Sequence, residues 1–184
     1  MTTSTRQTKP AGKKPAADGA PPASLLLIEA RYYDDIADSL LDGAKRALKQ
    51  SHATFDVITV PGALEIPVAF SIAVANGHFD DNDPRRRYDG AIALGCVIRG
   101  DTGHYDIVAN NANHWLTELA VRHAIPIGNA ILTVESREQA LARASGQTGG
   151  KGADAVRACL DLVSIRQGAK TALSAAGASK GRAG

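Results

Sequence analysis

The chain has 184 residues, 44% of them apolar and only 4% aromatic, with a formal charge of +2. That length fits one domain with tails, and its core must be built from Ala, Val, Ile and Leu. So small a charge excludes nucleic acid as the expected partner, the more so because much of the basic excess lies near the termini and in Arg85-Arg86-Arg87.

Residues 1–23 are rich in Thr, Ser, Lys, Pro, Ala and Gly and carry no hydrophobic period, so they are expected to form a disordered tail. Residues 24–168 read as the folded domain and 169–184 as a flexible C-terminal tail. The domain opens with a buried strand over 24–29 (SLLLIE). Asp34 or Asp35 is expected to cap a helix whose Ile36, Leu40, Leu41, Ala44, Ala47 and Leu48 keep the helical period. A second strand over 54–60 stops at Pro61-Gly62. The helix after it runs to Gly77 through IPVAFSIAVA, apolar nearly all round, which predicts burial on several sides and hints at a subunit interface.

The third strand covers 91–98, and a long helix follows with Val108, Ala112, Trp115 and Leu119 on one face. A fourth strand covers 127–134. Ser136 and Gln139 have capping-box spacing for another helix, and Gly149-Gly150-Lys151-Gly152 opens the last, with Val156, Cys159, Leu160 and Val163 along one side. The order β-α-β-α-β-α-β-α-α predicts a parallel sheet covered by helices on both faces. Cys96 and Cys159 sit in apolar runs without metal-ligand spacing and read as buried small hydrophobes in a reducing compartment. No run reaches membrane-spanning length, and the N-terminus lacks the apolar stretch of a secretory signal, so a cytoplasmic protein without a membrane partner is expected.

Chemistry concentrates between 88 and 106, YDGAIALGCVIRGDTGHYD. An apolar strand ends at a polar glycine-flanked turn that opens a helix, which places backbone N–H groups where parallel sheets bind ligands and helix N-termini bind anions. His104 stands beside that turn, and histidine exchanges protons near neutral pH. Three other turns fall at strand carboxyl ends: 30–33, 61–65, and the polar region leading to Arg143 and Lys151. Together they are expected to surround one crevice with aromatic, acidic, amide, imidazole and cationic groups. Each group also has a plain alternative. Tyr32 reads equally as a rim aromatic or a stacking platform, Glu65 as a favourable charge at a helix N-terminus, Arg143 and Lys151 as solvated charges, and His104 as a structural helix start. The charged loop at Arg85-Arg86-Arg87 is assigned no role. The chain has no Walker motif, no GxGxxG and no Ser-His-Asp order.

Five segments in order, ARYYDDIADSLLDGA, VPGALEIP, YDGAIALGCVIRGDTGHYDIV, ILTVESREQALARA and GGKGADAVRACL, resemble the 6,7-dimethyl-8-ribityllumazine synthases, the penultimate enzymes of riboflavin synthesis. The resemblance spans about residues 25–163. It implies an α/β three-layer sandwich with a four-stranded parallel sheet, flavodoxin-like. It further implies homopentamers with active sites between subunits, in some members assembled as a 60-subunit shell. The reaction it implies condenses 5-amino-6-(D-ribitylamino)uracil with 3,4-dihydroxy-2-butanone 4-phosphate, releasing phosphate and water, with no metal and no cofactor.

By the same resemblance, Tyr32 matches the aromatic that stacks on the pyrimidine ring. Ala63, Leu64 and Glu65 match the segment holding the ribityl chain, and Cys96, Val97 and Ile98 match the ring pocket. Asp101 and Thr102 match the turn whose amides bind phosphate, and Arg143 matches the arginine that pairs with it, a task suited to a guanidinium fork. His104 matches the proton-transfer residue, Asn129 the position where a neighbouring subunit closes the pocket, and Lys151 a lysine near the substrate. Three positions depart from the pattern: Tyr33 and Gly150 stand where asparagine is frequent, and Asn129 where phenylalanine is. The segment between Arg143 and Lys151 has no obvious insertion, which leaves the shell open beside the pentamer. Two alternatives accompany the enzyme: a flavin- or lumazine-binding shell paralogue with little activity, and a flavodoxin-like electron carrier.

Overall fold

Strands β1 (Ser24–Ala30), β2 (Thr54–Val60), β3 (Gly90–Ile98) and β4 (Ile127–Val134) form one wholly parallel sheet in the order β2-β1-β3-β4. The computed structural model describes residues 22–146 and 149–180, without the side chains of 170 and 172–180. All but the last two residues of the expected N-terminal tail, and the last four of the C-terminal one, lie outside the described residues. Strand alternation explains the register. Leu25 and Leu27 point to one face of the sheet, while Leu26, Ile28 and Ala30 point to the other.

The first face is covered by α1 (Asp34–Gln50), α4 (Arg137–Ala144) and α5 (Gly150–Lys180), the second by α2 (Glu65–Ala75) and α3 (His104–Arg122). This is the three-layer α/β/α arrangement that the element order predicts. Leu25, Leu27, Ile36, Leu40, Leu48 and Ile92 are fully buried beneath the first helical layer. Removing any one to Ala is of the class that costs about 2–5 kcal/mol. Cys159 lies in the same layer and Cys96 at its edge, both buried thiols. The layer packs backbone to backbone where α1 meets the start of α5. A Cβ at Gly43 would lie 1.9 Å from the Gly149 carbonyl oxygen, and one at Gly152 2.0 Å from that of Leu40.

Three local expectations are corrected. Asp34 and Asp35 are not the N-cap of α1: Tyr33 holds that position without a side-chain cap bond, and the two acids lie in the first turn. There they face the positive helix end and form ion pairs with Arg31 and Arg137. Helix α2 is not buried on several sides of the protomer, since only Ile66, Pro67, Phe70 and Ala73 are buried and Val68 and Ile72 are 57% and 58% exposed. On α3 the buried face is Ala109, Ala112, Leu116 and Ala120, and Trp115 is half exposed. An apolar residue on a helix can serve a surface that one protomer does not cover, and periodicity does not distinguish that surface from the core. The Ser136 cap is present: its hydroxyl accepts from the Gln139 N–H, while the Gln139 side chain accepts from Glu135 N–H, one residue before the usual capping-box donor.

Candidate active site

The chain passes from β1 to β2 on one side and from β3 to β4 on the other, so the crevice outside the carboxyl ends of β1 and β3 is the topological switch point of the sheet. A cleft of about 460 Å³ lies there. Its walls come from the three turns that follow β1, β2 and β3: Tyr32 and Tyr33; Pro61 to Glu65; and the end of β3 with the first turns of α3. Tyr32, Ala63, Leu64, Glu65, Cys96, Val97, Ile98, Thr102 and His104, all named from the sequence, meet in it.

Each group is placed by its element. Tyr32 is 71% exposed, and its ring meets that of Tyr33 edge-on at 4.9 Å. Tyr33 is half-buried against the core, and burial, reinforced by the neighbouring Tyr32 and Cys96, raises its phenol above the ordinary value. Val97 and Cys96, on opposite faces of β3, are buried at the cleft floor. Burial pushes the Cys96 thiol up to about 11. A neutral thiol lines the cleft as an apolar group and is a poor nucleophile.

His104 is the first residue of α3, exposed, with its N–H donating to the Thr102 hydroxyl at 3.4 Å. The Gly100–Gly103 turn therefore sits at the positive end of a 19-residue helix, where an anion is stabilised by dipole and amides together. Arg99 fastens this turn. Its backbone N–H donates to the Val134 carbonyl at 2.9 Å, and its side chain binds Asp106 at 3.2 Å and Glu135 at 2.9 Å. Aromatic surface, an acidic group, an imidazole and an anion site thus adjoin one another, enough to hold a flat heterocycle beside a phosphorylated partner and exchange protons between them.

Four sequence-named residues are not brought to this cleft within the protomer. Asp101 is exposed on the turn and does not line it. Asn129, on β4, donates to Asn113 at 2.6 Å and accepts from the Ile131 N–H at 2.8 Å, on the α3 side of the sheet. Arg143 lies exposed in the last turn of α4, and Lys151 is paired with Asp154 at 3.0 Å in the first turn of α5. The expectation that cations from the 143–151 region surround one crevice is not met by a single chain. Gly150, where asparagine is frequent, has a φ of 63°. Glycine adopts that conformation freely, and a Cβ here would lie 2.0 Å from the Ala144 carbonyl oxygen, so asparagine at this position would require the backbone to shift.

The cleft also recruits Tyr105 and Val108, to which sequence reading gave no site role, and Tyr33, noted there only as a departure. The signal for Val108 was its spacing from His104, since a residue four positions on lies on the same helix face; Tyr105, the next residue, gave no such signal. Among the described residues, no group of three or more His, Cys, Asp or Glu side chains could hold a metal ion, and no helix is long and apolar enough to cross a membrane.

Comparison with known proteins gives a consistent result. The sequence model of the 6,7-dimethyl-8-ribityllumazine synthase family matches residues 22–167. The chain is 53% identical over 143 residues to a 6,7-dimethyl-8-ribityllumazine synthase of Agrobacterium fabrum, covering 78% of this chain and 94% of that protein. It is 50% identical over 146 residues to 6,7-dimethyl-8-ribityllumazine synthase 1 of Rhizobium meliloti, covering 79% and 93%. A synthase of the same description from Beijerinckia indica is 53% identical over 145 residues, covering 79% and 76%.

Proposed function

The chain belongs to the 6,7-dimethyl-8-ribityllumazine synthase family, and on that premise we propose how its residues divide the reaction. It is an enzyme of that type, joining 5-amino-6-(D-ribitylamino)uracil to 3,4-dihydroxy-2-butanone 4-phosphate in riboflavin biosynthesis. An amine of the pyrimidine adds to the ketone and loses water, phosphate leaves by elimination, and the second amine condenses with the remaining carbonyl, losing a second water, to close the ring. Nothing in these steps requires a redox change. Catalysis then rests on alignment, which can supply about 7–11 kcal/mol when ideal, together with proton transfer.

Tyr32 stacks on the pyrimidine, whose other face and edge meet Cys96, Val97 and Ile98. Glu65 accepts from ribityl hydroxyls beside Ala63 and Leu64. Phosphate lies on the amides at Asp101 and Thr102, where the α3 dipole favours it; the anionic Asp101 serves through its backbone and not its carboxylate. His104 moves protons between the two substrates.

The observation that carries the assembly is the incompleteness of the cleft. Its protomer supplies ring, ribityl and phosphate-turn groups, while Asn129, Arg143 and Lys151 lie elsewhere on the same chain. A neighbouring copy in a homopentamer brings them in, with Arg143 pairing with the phosphate. Support comes from the apolar side chains that one protomer leaves bare on α2 and α3: Val68, Ile72, Trp115 and Val121. Two buried free thiols fit a cytoplasmic setting.

Subunit mixing tests the arrangement. His104→Ala and Arg143→Ala chains are co-refolded and assayed by lumazine absorbance at a low concentration of the phosphorylated ketone, where each parent is nearly inactive. Activity well above that of either parent is expected, because some interfaces then carry both intact residues. Activity equal to the average of the parents means that both residues serve one chain's site.

A further inference from the structure

Glu29 is the only buried charged side chain among the described residues, 4% exposed near the end of β1. A carboxylate out of water is costly unless paired and hydrogen-bonded, and an apolar residue in its place would often be neutral or better for stability. Its partners are specific. Both oxygens accept from Arg31 Nη1, at 3.3 and 3.2 Å, and Oε1 also accepts from the Thr59 hydroxyl on β2 at 2.9 Å.

Arg31 extends the connection outward. Its Nε donates to Asp34 at 3.3 Å, its Nη2 to Asp38, and its backbone N–H to the Val60 carbonyl at 3.0 Å. One guanidinium thus ties the ends of β1 and β2 to the first turns of α1. The chain between these anchors is Tyr32 and Tyr33. Tyr32, 71% exposed, has too little packing of its own to fix its backbone. The exposed ion pairs contribute little to stability, and the buried one is costly, so stability does not account for the arrangement.

We propose that Glu29 and Arg31 are positioning residues for Tyr32, a charged clamp that holds the turn so that its ring stands over the cleft. The inference rests on the assignment of Tyr32 as the platform for the pyrimidine.

The test is steady-state kinetics on the assembled full-length protein, with each substrate varied in turn. Arg31→Ala is expected to raise KM for the pyrimidine about tenfold through lost alignment, with KM for the phosphorylated ketone held within about twofold. Added to Tyr32→Ala, it is expected to cause no further rise, because a residue acting through another is not additive with it. Multiplied effects in the double variant, or equal rises in both KM values, overturn the clamp. Should Arg31→Ala fail to assemble, Asp38→Asn on the exposed side replaces it; a rise in pyrimidine KM of about twofold or more supports the clamp, and no rise overturns it. If Tyr32→Ala itself leaves the pyrimidine KM unchanged, the platform assignment fails and the clamp falls with it. If Tyr32→Ala raises it and Arg31→Ala does not, the clamp alone is overturned.

Discussion

The guanidinium of Arg99 lies 3.9 Å from the centroid of the Tyr105 ring, on the first turn of α3. The same group binds Asp106 on that turn and Glu135 after β4. Its ion pairs are exposed and individually weak, and a cation over a partly exposed ring adds about 0.5–1 kcal/mol. Arg99→Ala is therefore expected to lower stability by only about 1 kcal/mol in denaturant unfolding. Its larger effect should fall on KM for the phosphorylated ketone, because the loosened segment carries Thr102 and His104. A large stability loss with unchanged kinetics would assign Arg99 to the fold instead.

Tyr32→Ala should raise KM for the pyrimidine strongly, since stacking of a base on an aromatic ring is worth about 1–3 kcal/mol. Tyr32→Phe keeps the flat face and should stay near the parent value. Equal losses in the two variants would point to the hydroxyl as the working group.

His104→Ala is expected to reduce kcat by about 10²–10⁴ if it is the main proton donor or acceptor. Arg143→Ala should instead raise KM for the phosphorylated ketone far more than for the pyrimidine. Rate measurements with each substrate limiting separate the two roles, and identical kinetic profiles would contradict both assignments.

The sheet's far end offers a pH test. Burial, with the hydrogen bond to Asp56, holds the Tyr88 phenol up to about 12 from an ordinary 10.0. A folded value above the unfolded one means that the native state keeps its proton longer. This contribution to stability is complete below pH 10 and is lost as pH rises through about 12. Tyr88→Phe should reduce the fall in Tm across that interval, though it also loses the 2.7 Å bond to Asp56 at every pH. An unchanged slope of Tm against pH would remove Tyr88 as its source.

The fold was legible because its signals are local. The apolar runs of β1 to β4, the glycine-bearing turns and the helical periods each specify an element, and the parallel order follows from their alternation. The cleft was legible for the same reason, since parallel topology brings the turns after β1, β2 and β3 to one side of the sheet. Trp115 and Val68 mark where legibility ended: periodicity registers an apolar side chain but not whether the chain's own core buries it. Glu29 escaped notice differently. Within SLLLIEA a single acid reads as a strand terminus, and only the neighbouring strand's Thr59 and the following Arg31 give it a partner. Arg143 and Lys151 could be matched to tasks from the sequence, yet their distance from the cleft appears only in three dimensions.

The bare contact between α1 and α5 has a consequence for how variants of this protein would be misread. Gly43 and Gly152 allow the two backbones to touch, and Lys151 sits beside that contact. A single methyl group added at Gly152 would force the start of α5 away from α1 and carry Lys151 with it. In the proposed assembly the lesion would then be expressed in the adjoining subunit's chemistry and not in the mutated chain's own cleft. A geneticist scoring such a change by its distance from the nearest pocket would judge it innocuous.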